Sequence, residues 1–292
     1  GTHGRSVYVL DDISPIREMI KIDPKRPYLF ETYYATRRVQ NAEIKFFLPS
    51  IPNKLSLKII DVKGRVVLEK DGVLEDNTEE EDNSWFGPKN KKLTMKKGLN
   101  TYTWNLRYPG AAEFEGMIIW SAKPSLGPIA TPGNYKIQLT VDNNLYETSV
   151  EVRKDPRIEV SNEIIKQQFE FAMEIMKQTD LANKSVIEIR KIKDKLSSIA
   201  KKRKGDKFKR INSLISELEK IESSIYQVKN QSGQDPLNFP IKVNNRLAYL
   251  RKSVESGDGI PTEGSEKVFK LLKDELNNYL IKLSKLKNQT KR

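Results

Sequence analysis

Two hydrophobic periods divide this chain. From residue 43 to 153 apolar positions recur every second residue, as in half-buried strands. Ile44, Phe46 and Leu48 alternate with Lys45 and Phe47, and Leu55, Leu57 and Ile59 alternate with Ser56 and Lys58. Val62-Lys63-Gly64-Arg65 reads as a hairpin turn into Val66-Val67-Leu68. Asn100, Tyr102, Trp104 and Leu106 form the expected inner face of another strand, with Trp104 as its anchor. Tyr135, Ile137, Leu139 and Val141 form a further one. Asp142-Asn143-Asn144 is its turn, a sequence that tolerates left-handed backbone, and Tyr146, Ser149, Val150 and Val152 return along it. Short strands with regular turn signals predict a β-sandwich over 23–153.

After Lys154-Asp155-Pro156-Arg157 the period becomes 3.6. The first helix carries Ile165, Phe169, Ala172, Met176, Ala182, Val186, Ile189 and Leu196, with Ser161 as its cap. It stops at Lys201-Lys202-Arg203-Lys204-Gly205. The second carries Phe208, Ile211, Ile215, Leu218, Ile221, Ile225 and Val228, closing at Ser232-Gly233. A third starts near Pro240 and carries Val243, Leu247, Leu250 and Val254. Thr262 caps a fourth, with Val268, Leu272, Leu276, Tyr279, Leu283 and Leu286. Four amphipathic helices with short loops predict an antiparallel four-helix bundle-like domain over 154–292.

Two stretches fit neither period. Residues 1–22 hold a short β run, Ser6 to Leu10, stopped by Asp11 and Asp12. A lone strand of that length needs a sheet to join, so this stretch reads as the last strand of something larger, followed by an exit segment. The connector behind it has Pro24 and Pro27 to keep it extended. Its Tyr28, Phe30, Tyr33 and Tyr34 cover the seam of their own domain or pack on a neighbour. The second stretch, residues 108–133, is rich in Gly, Pro and apolar side chains, among them Phe114, Met117, Ile118, Ile119 and Trp120. A long apolar loop needs a cover. It either folds over its own sandwich or docks on a neighbour that is not part of this sequence. Tyr28, Phe30, Phe114, Met117, Ile119 and Trp120 are therefore the candidate partner contacts.

Charge sharpens this picture for the second half alone. The formal net charge is +13. Residues 1–153 hold 22 Lys and Arg against 20 Asp and Glu, and residues 154–292 hold 30 against 19. The excess sits at helix-surface spacing and reads as a solvated face. No aromatic residues are interleaved with it as a stacking platform, so nucleic acid is not the expected partner.

The inventory of reactive groups is short. There is one histidine, His3, and no cysteine, so neither a Ser-His-Asp site away from His3 nor a thiolate metal site can be assembled. His3, in a turn between glycines, reads as a structural or surface residue. Asp11 and Asp12 are adjacent on a strand and face opposite ways, so they cannot share a substrate. Glu79-Glu80-Glu81-Asp82 reads as a solvated loop. No phosphate-binding glycine motif occurs, and no apolar run is long enough to span a membrane. Catalytic, cofactor-binding and metal residues are accordingly expected to be none.

Several stretches carry a family likeness. Gly1-Thr2-His3-Gly4-Arg5 and Val9-Leu10-Asp11-Asp12-Ile13-Ser14-Pro15 resemble the end of the β-propeller in bacterial sortilin-like, or BNR-repeat glycosyl-hydrolase-type, proteins. Asn105-Leu106-Arg107-Tyr108-Pro109-Gly110-Ala111, Gly127-Pro128 and Pro132-Gly133-Asn134-Tyr135 resemble the Ig-like domain that follows there. That domain is similar to the Ig-like module of flagellar hook-capping proteins. Leu237 to Leu247 and Ser256 to Thr262 look like the family's C-terminal helical segment. No Asp-box lies in this chain, so no catalytic residue of the family transfers to it. The resemblance implies an exported protein: periplasmic, at the cell surface or extracellular. Its N-terminal β-propeller would be the first partner, a cell-envelope assembly a second, and a glycan would be reached only through the propeller. The expected role is a non-catalytic accessory region that braces the propeller and presents a docking surface. The alternative is part of a glycoside hydrolase, with loop 108–133 lining the cleft.

Overall fold

The computed structural model describes residues 13–74 and 92–290. The Ser6–Leu10 run, His3, Asp11, Asp12 and the Glu79–Asp82 run lie outside the described residues. The chain is β-rich first and helical second. It divides into two compact units, and the division is not a single cut. One unit comprises residues up to 107 together with 130–158; the other comprises 108–129 and 159–292.

The β-rich unit begins with a short helix, α1 (Ser14–Met19). A three-stranded sheet follows in the order β1 (Tyr28–Leu29), β3 (Ala42–Leu48), β7 (Gly98–Trp104). A six-stranded sheet runs β2 (Tyr34–Thr36), β11 (Asn144–Arg153), β10 (Gly133–Val141), β4 (Leu55–Ile60), β5 (Val66–Leu74), β6 (Leu93–Met95). The alternation seen in the sequence is the burial pattern: Ile44, Phe46, Leu48, Leu57, Ile59, Ile137 and Leu139 are fully buried. Trp104 of β7 lies edge-on to Tyr135 of β10, ring centres 5.2 Å apart, so one side chain from each sheet meets there. Its indole Nε1 donates to the Arg107 carbonyl at 3.1 Å, which satisfies the buried ring's one polar atom.

Turn chemistry follows the residues. Gly64 takes φ +76 in the β4–β5 hairpin, where Asp61 Oδ1 accepts from the Lys63 and Arg65 amides. Asp142 takes φ +52 in the tight β10–β11 hairpin. The connector turns at residues 24–26 and then runs as extended strand. Tyr28 and Leu29 pair with Phe47 and Phe46, which makes the connector an edge of the small sheet.

The helical unit contains α2 (Asn162–Ala200), α3 (Gly205–Ile225), α4 (Val243–Val254) and α5 (Glu263–Thr290). They share one core, from Ile175, Val186 and Ile189 of α2 to Leu272, Leu276 and Leu283 of α5. Ser161 caps α2, its Oγ accepting from the Ile164 amide, and Thr262 caps α5 in the same way through the Ser265 amide. Two ends differ from expectation. The second helix stops at Ile225 and Val228 is exposed, because Tyr226 turns extended at φ −129°. The third starts at Val243, since the Pro240 carbonyl is held by Gln227 Nε2 at 2.8 Å outside any helix. Among the described residues no helix is long and apolar enough to cross a membrane.

Candidate functional site

The feature that sets the helical unit apart is what it holds. Residues 108–129 form an irregular segment inside it, closed at the base by two short strands, β8 (Arg107–Pro109) and β9 (Leu126–Ile129). The strands approach so closely that glycine is required on both. A Cβ on Gly110 would collide with the Pro124 and Ser125 backbone, and one on Gly127 with the Tyr108 and Pro109 carbonyls. This accounts for the Pro109-Gly110 and Gly127-Pro128 pairs in the sequence. In the β-rich unit the departure and return points are joined: the Ala130 amide donates to the Leu106 carbonyl at 2.6 Å, with Leu106 at φ +57.

A segment without regular structure leaves its backbone N–H and C=O groups without ladder partners, and burying them unpaired is costly. Here side chains of the helices supply the partners. From α2, Asp180 Oδ1 accepts from the Ala112 amide at 2.9 Å, and Asn183 Nδ2 donates to the Ala112 carbonyl at 2.7 Å. From α4, Asn245 closes a two-point bond on Trp120: its Oδ1 accepts from the Trp120 amide at 2.7 Å and its Nδ2 donates to the carbonyl at 3.0 Å. Asn244 Nδ2 donates to Asn183 Oδ1 at 3.0 Å and locks the two asparagines together. Just past α3, the Tyr226 hydroxyl accepts from the Ile118 amide and donates to the Gly116 carbonyl.

The charged members work in the same way. Arg251 and Glu255 are a buried pair on one face of α4 and its end, 2.5 Å apart. Arg251 Nη2 also donates to the Lys123 carbonyl, and Glu255 Oε1 accepts from the Ile129 amide. Arg190 donates through Nε to Glu222 and through Nη1 to the Glu115 carbonyl, while its guanidinium covers the Phe114 ring at 4.6 Å. Phe114 meets Tyr226 edge-on at 4.9 Å. Beside the segment lies a cavity of about 480 Å³, lined by Phe114, Met117, Ile118 and Asn230 among others.

Phe114 and Met117 pack against the helical core, and Ile119 and Trp120 are half-buried in the same segment. The sequence offered two covers for this loop, its own sandwich or a separate neighbour. Within its unit, the helices of its own chain cover it. Tyr28 and Phe30 belong to the β-rich unit, where their rings meet edge-on at 5.1 Å. Phe30 has no exposed surface and so has none to present to a partner. The Tyr28 hydroxyl donates to Glu18, and burial, with that carboxylate beside it, raises the phenol above its usual pKa.

The gripping residues Asp180, Asn183, Tyr226, Asn244, Asn245, Arg251 and Glu255 do not stand out in a search for reactive groups. The signal in the sequence is their register. Asn183 sits beside Ala182 and one turn before Val186, and Asn244-Asn245 opens the α4 stripe, so polar side chains occupy core-facing helical positions. Among the described residues no group of three His, Asp or Glu side chains is placed to hold a metal ion.

No family model matches this chain, and no curated protein does. Among solved structures it is similar to the crystal structure of CopC from Methylosinus trichosporium OB3b, at 16% identity over 47% of this chain and 100% of that one. The TM-score of that match is 0.22, too low to assign the fold of either unit.

Proposed function

We propose that this chain is a non-catalytic accessory region of an exported bacterial β-propeller protein. It comprises an Ig-like sandwich and a helical bundle that brace the propeller and present a docking surface. The observation that carries the non-catalytic part is the use made of buried and half-buried carboxylates in the helical unit. Glu222 is bound by Arg190 and Lys193, Glu255 by Arg251 and the Ile129 amide, and Asp180 by Lys184 and the Ala112 amide. A general acid or base must be free to exchange a proton with substrate. These carboxylates are instead fixed in bonds that hold the fold. The segment with which a hydrolase cleft would be lined has its backbone gripped from behind by the same residues.

The Ig-like reading is supported by the antiparallel pairing of β3 with β7 and of β4, β10 and β11, and by a buried Trp104 that meets the opposite sheet at Tyr135. The bundle reading is supported by four helices that share one core. The propeller rests on the likeness of the opening residues and of the Ig-like motifs. Its test is the gene: Asp-box repeats are expected upstream of residue 1, and an unrelated upstream sequence would overturn the reading. For the non-catalytic part, the chain is incubated with a panel of glycans. Release of new reducing ends by this chain alone would contradict it.

A further inference from the structure

We propose that the tip of the α2–α3 hairpin is a peripheral docking element for an anionic lipid surface. Ten consecutive residues, 201–210, carry seven cations (Lys201, Lys202, Arg203, Lys204, Lys207, Lys209 and Arg210) against one anion, Asp206. This short stretch supplies more than half of the positive excess of residues 154–292. All ten residues are exposed.

The tip of the hairpin lies away from the core of its unit. α2 and α5 run side by side in one direction, with Phe171 against Phe269 at one level and Glu188 bridged to Lys287 at another. α2 continues past that bridge to Ala200. At 1.5 Å per residue, the twelve residues after Glu188 carry α2 about 18 Å further. α3 returns alongside it, with Glu219 and Glu222 bonded to Lys193, and contributes no fully buried residue before Leu214. The tip is therefore convex and set away from the core.

Several cations elsewhere in the unit find carboxylates: Lys184 with Asp180, Arg190 with Glu222, Arg246 with Glu275, Lys267 with Glu263, Lys287 with Glu188. Among the described residues, none of the seven tip cations has such a bridge. Like charges crowded within a Debye length repel one another and disfavour the compact state. An anionic surface removes that penalty. The tip also holds apolar surface that folding left outside. Phe208, expected in the apolar stripe of the second helix, is 42% exposed between Lys207 and Lys209, and Ile199 is 37% exposed one turn before Arg203. Phe208 lies in the first turns of α3, which contribute no buried residue to the core before Leu214. Cations around an exposed aromatic ring suit a lipid interface, where the ring enters the headgroup boundary and the charges meet phosphate. A nucleic-acid groove would call instead for a stripe along one helix face; here the charge surrounds a tip. The inference stands on this hairpin and is independent of the propeller reading.

The test is co-sedimentation of the full chain with vesicles of mixed phosphatidylglycerol and phosphatidylcholine, compared with vesicles of phosphatidylcholine alone. Binding is expected only to the anionic vesicles, falling steeply with salt. Each basic residue near an anionic surface is worth roughly a fivefold gain in partitioning. Replacing Lys202, Arg203, Lys204 and Lys207 together by Gln should weaken binding by several hundredfold on that roughly additive scale. A control with Lys21, Lys25, Lys54 and Lys63 replaced by Gln changes the net charge equally and should leave most of the binding in place. Phe208→Ser should weaken binding by about tenfold with the salt dependence unchanged. Circular dichroism should show all variants folded, since the tip residues are exposed. Equal binding to neutral vesicles, equal loss in the two quadruple variants, or a duplex DNA that binds more tightly than the anionic vesicles would overturn the proposal.

Discussion

The two units solve the problem of buried backbone in opposite ways. In the β-rich unit, backbone pairs with backbone, and the interior is left to apolar side chains such as Ile44, Phe46, Ile137 and Trp104. The helical unit contains a segment that pairs with little of itself, so helix side chains must meet its amides and carbonyls one by one. The first solution needs only alternation along each strand. The second needs particular polar residues at particular helical positions: Asn245 for Trp120, Tyr226 for Ile118, Glu255 for Ile129. A unit of the first kind tolerates apolar substitution while volume is kept. A unit of the second kind fails when one donor or acceptor is lost, because a buried group is then left unpaired.

Substitutions at the two cores test that contrast most strongly. Trp104→Ala should cost about 3–5 kcal/mol through the cavity it leaves. Glu255→Ala should cost a similar amount, about 3–5 kcal/mol, by leaving the Arg251 charge buried without its partner. The outcomes separate in a second step, read by urea unfolding. Changing Arg251 to Met in the Glu255→Ala background removes the stranded charge and should recover part of the loss. No second substitution of that kind rescues Trp104→Ala. Absence of any recovery would mean that the pair is not what holds β9 to α4.

Asn245→Leu comes next. It keeps the volume but removes both bonds to Trp120, and about 1–3 kcal/mol is expected from the two stranded groups. An apolar swap of the same size in the β-rich unit, Ile137→Leu, should cost less than about 1.5 kcal/mol. Gly127→Ala forces β8 and β9 apart and should cost about 1–3 kcal/mol, as overpacking does.

How much of this was legible in the sequence divides along the same line. Strands β3, β4, β7, β10 and β11, their inner faces and the Asp142 turn could be read because alternation is local. The Ser161 and Thr262 caps were legible for the same reason. The membership of residues 108–129 was not, because it depends on pairs far apart in sequence, such as Ala112 with Asp180 and Trp120 with Asn245. Periodicity marked the segment as an apolar loop in need of a cover. It could not say that polar residues within the helical stripes were the cover. Phe208 was misplaced for a related reason: its spacing fits the α3 stripe, but whether another element covers that position depends on contacts far apart in sequence.

The smallest expected effect lies at the chain's passage into the helical unit. Arg157 donates to Asp155 from Nε, Nη2 and its own amide, and these bonds hold the Asp155 carboxyl down at about 2. A depressed carboxylate stabilises the fold above its unfolded value, near 3.8, and loses that contribution as pH falls through about 2. Both groups meet solvent, so the effect on stability is slight. The Asp155 carboxyl resonance should titrate with a midpoint well below that of an ordinary aspartate, and Arg157→Gln should return it to the usual range.

The central claim is that residues 108–129 are a structural part of the helical unit, held by side chains of α2 and α4 and by Tyr226. Amide hydrogen exchange in the intact chain tests it directly at Ala112, Ile118, Trp120 and Ile129. These amides should exchange as slowly as those of the helical core. In Asn245→Leu, protection should fall at Trp120 and its neighbours while the Ile137 and Leu139 amides of β10 keep theirs. Exchange at the four amides as fast as in an open loop, or unchanged in the variant, would contradict the account.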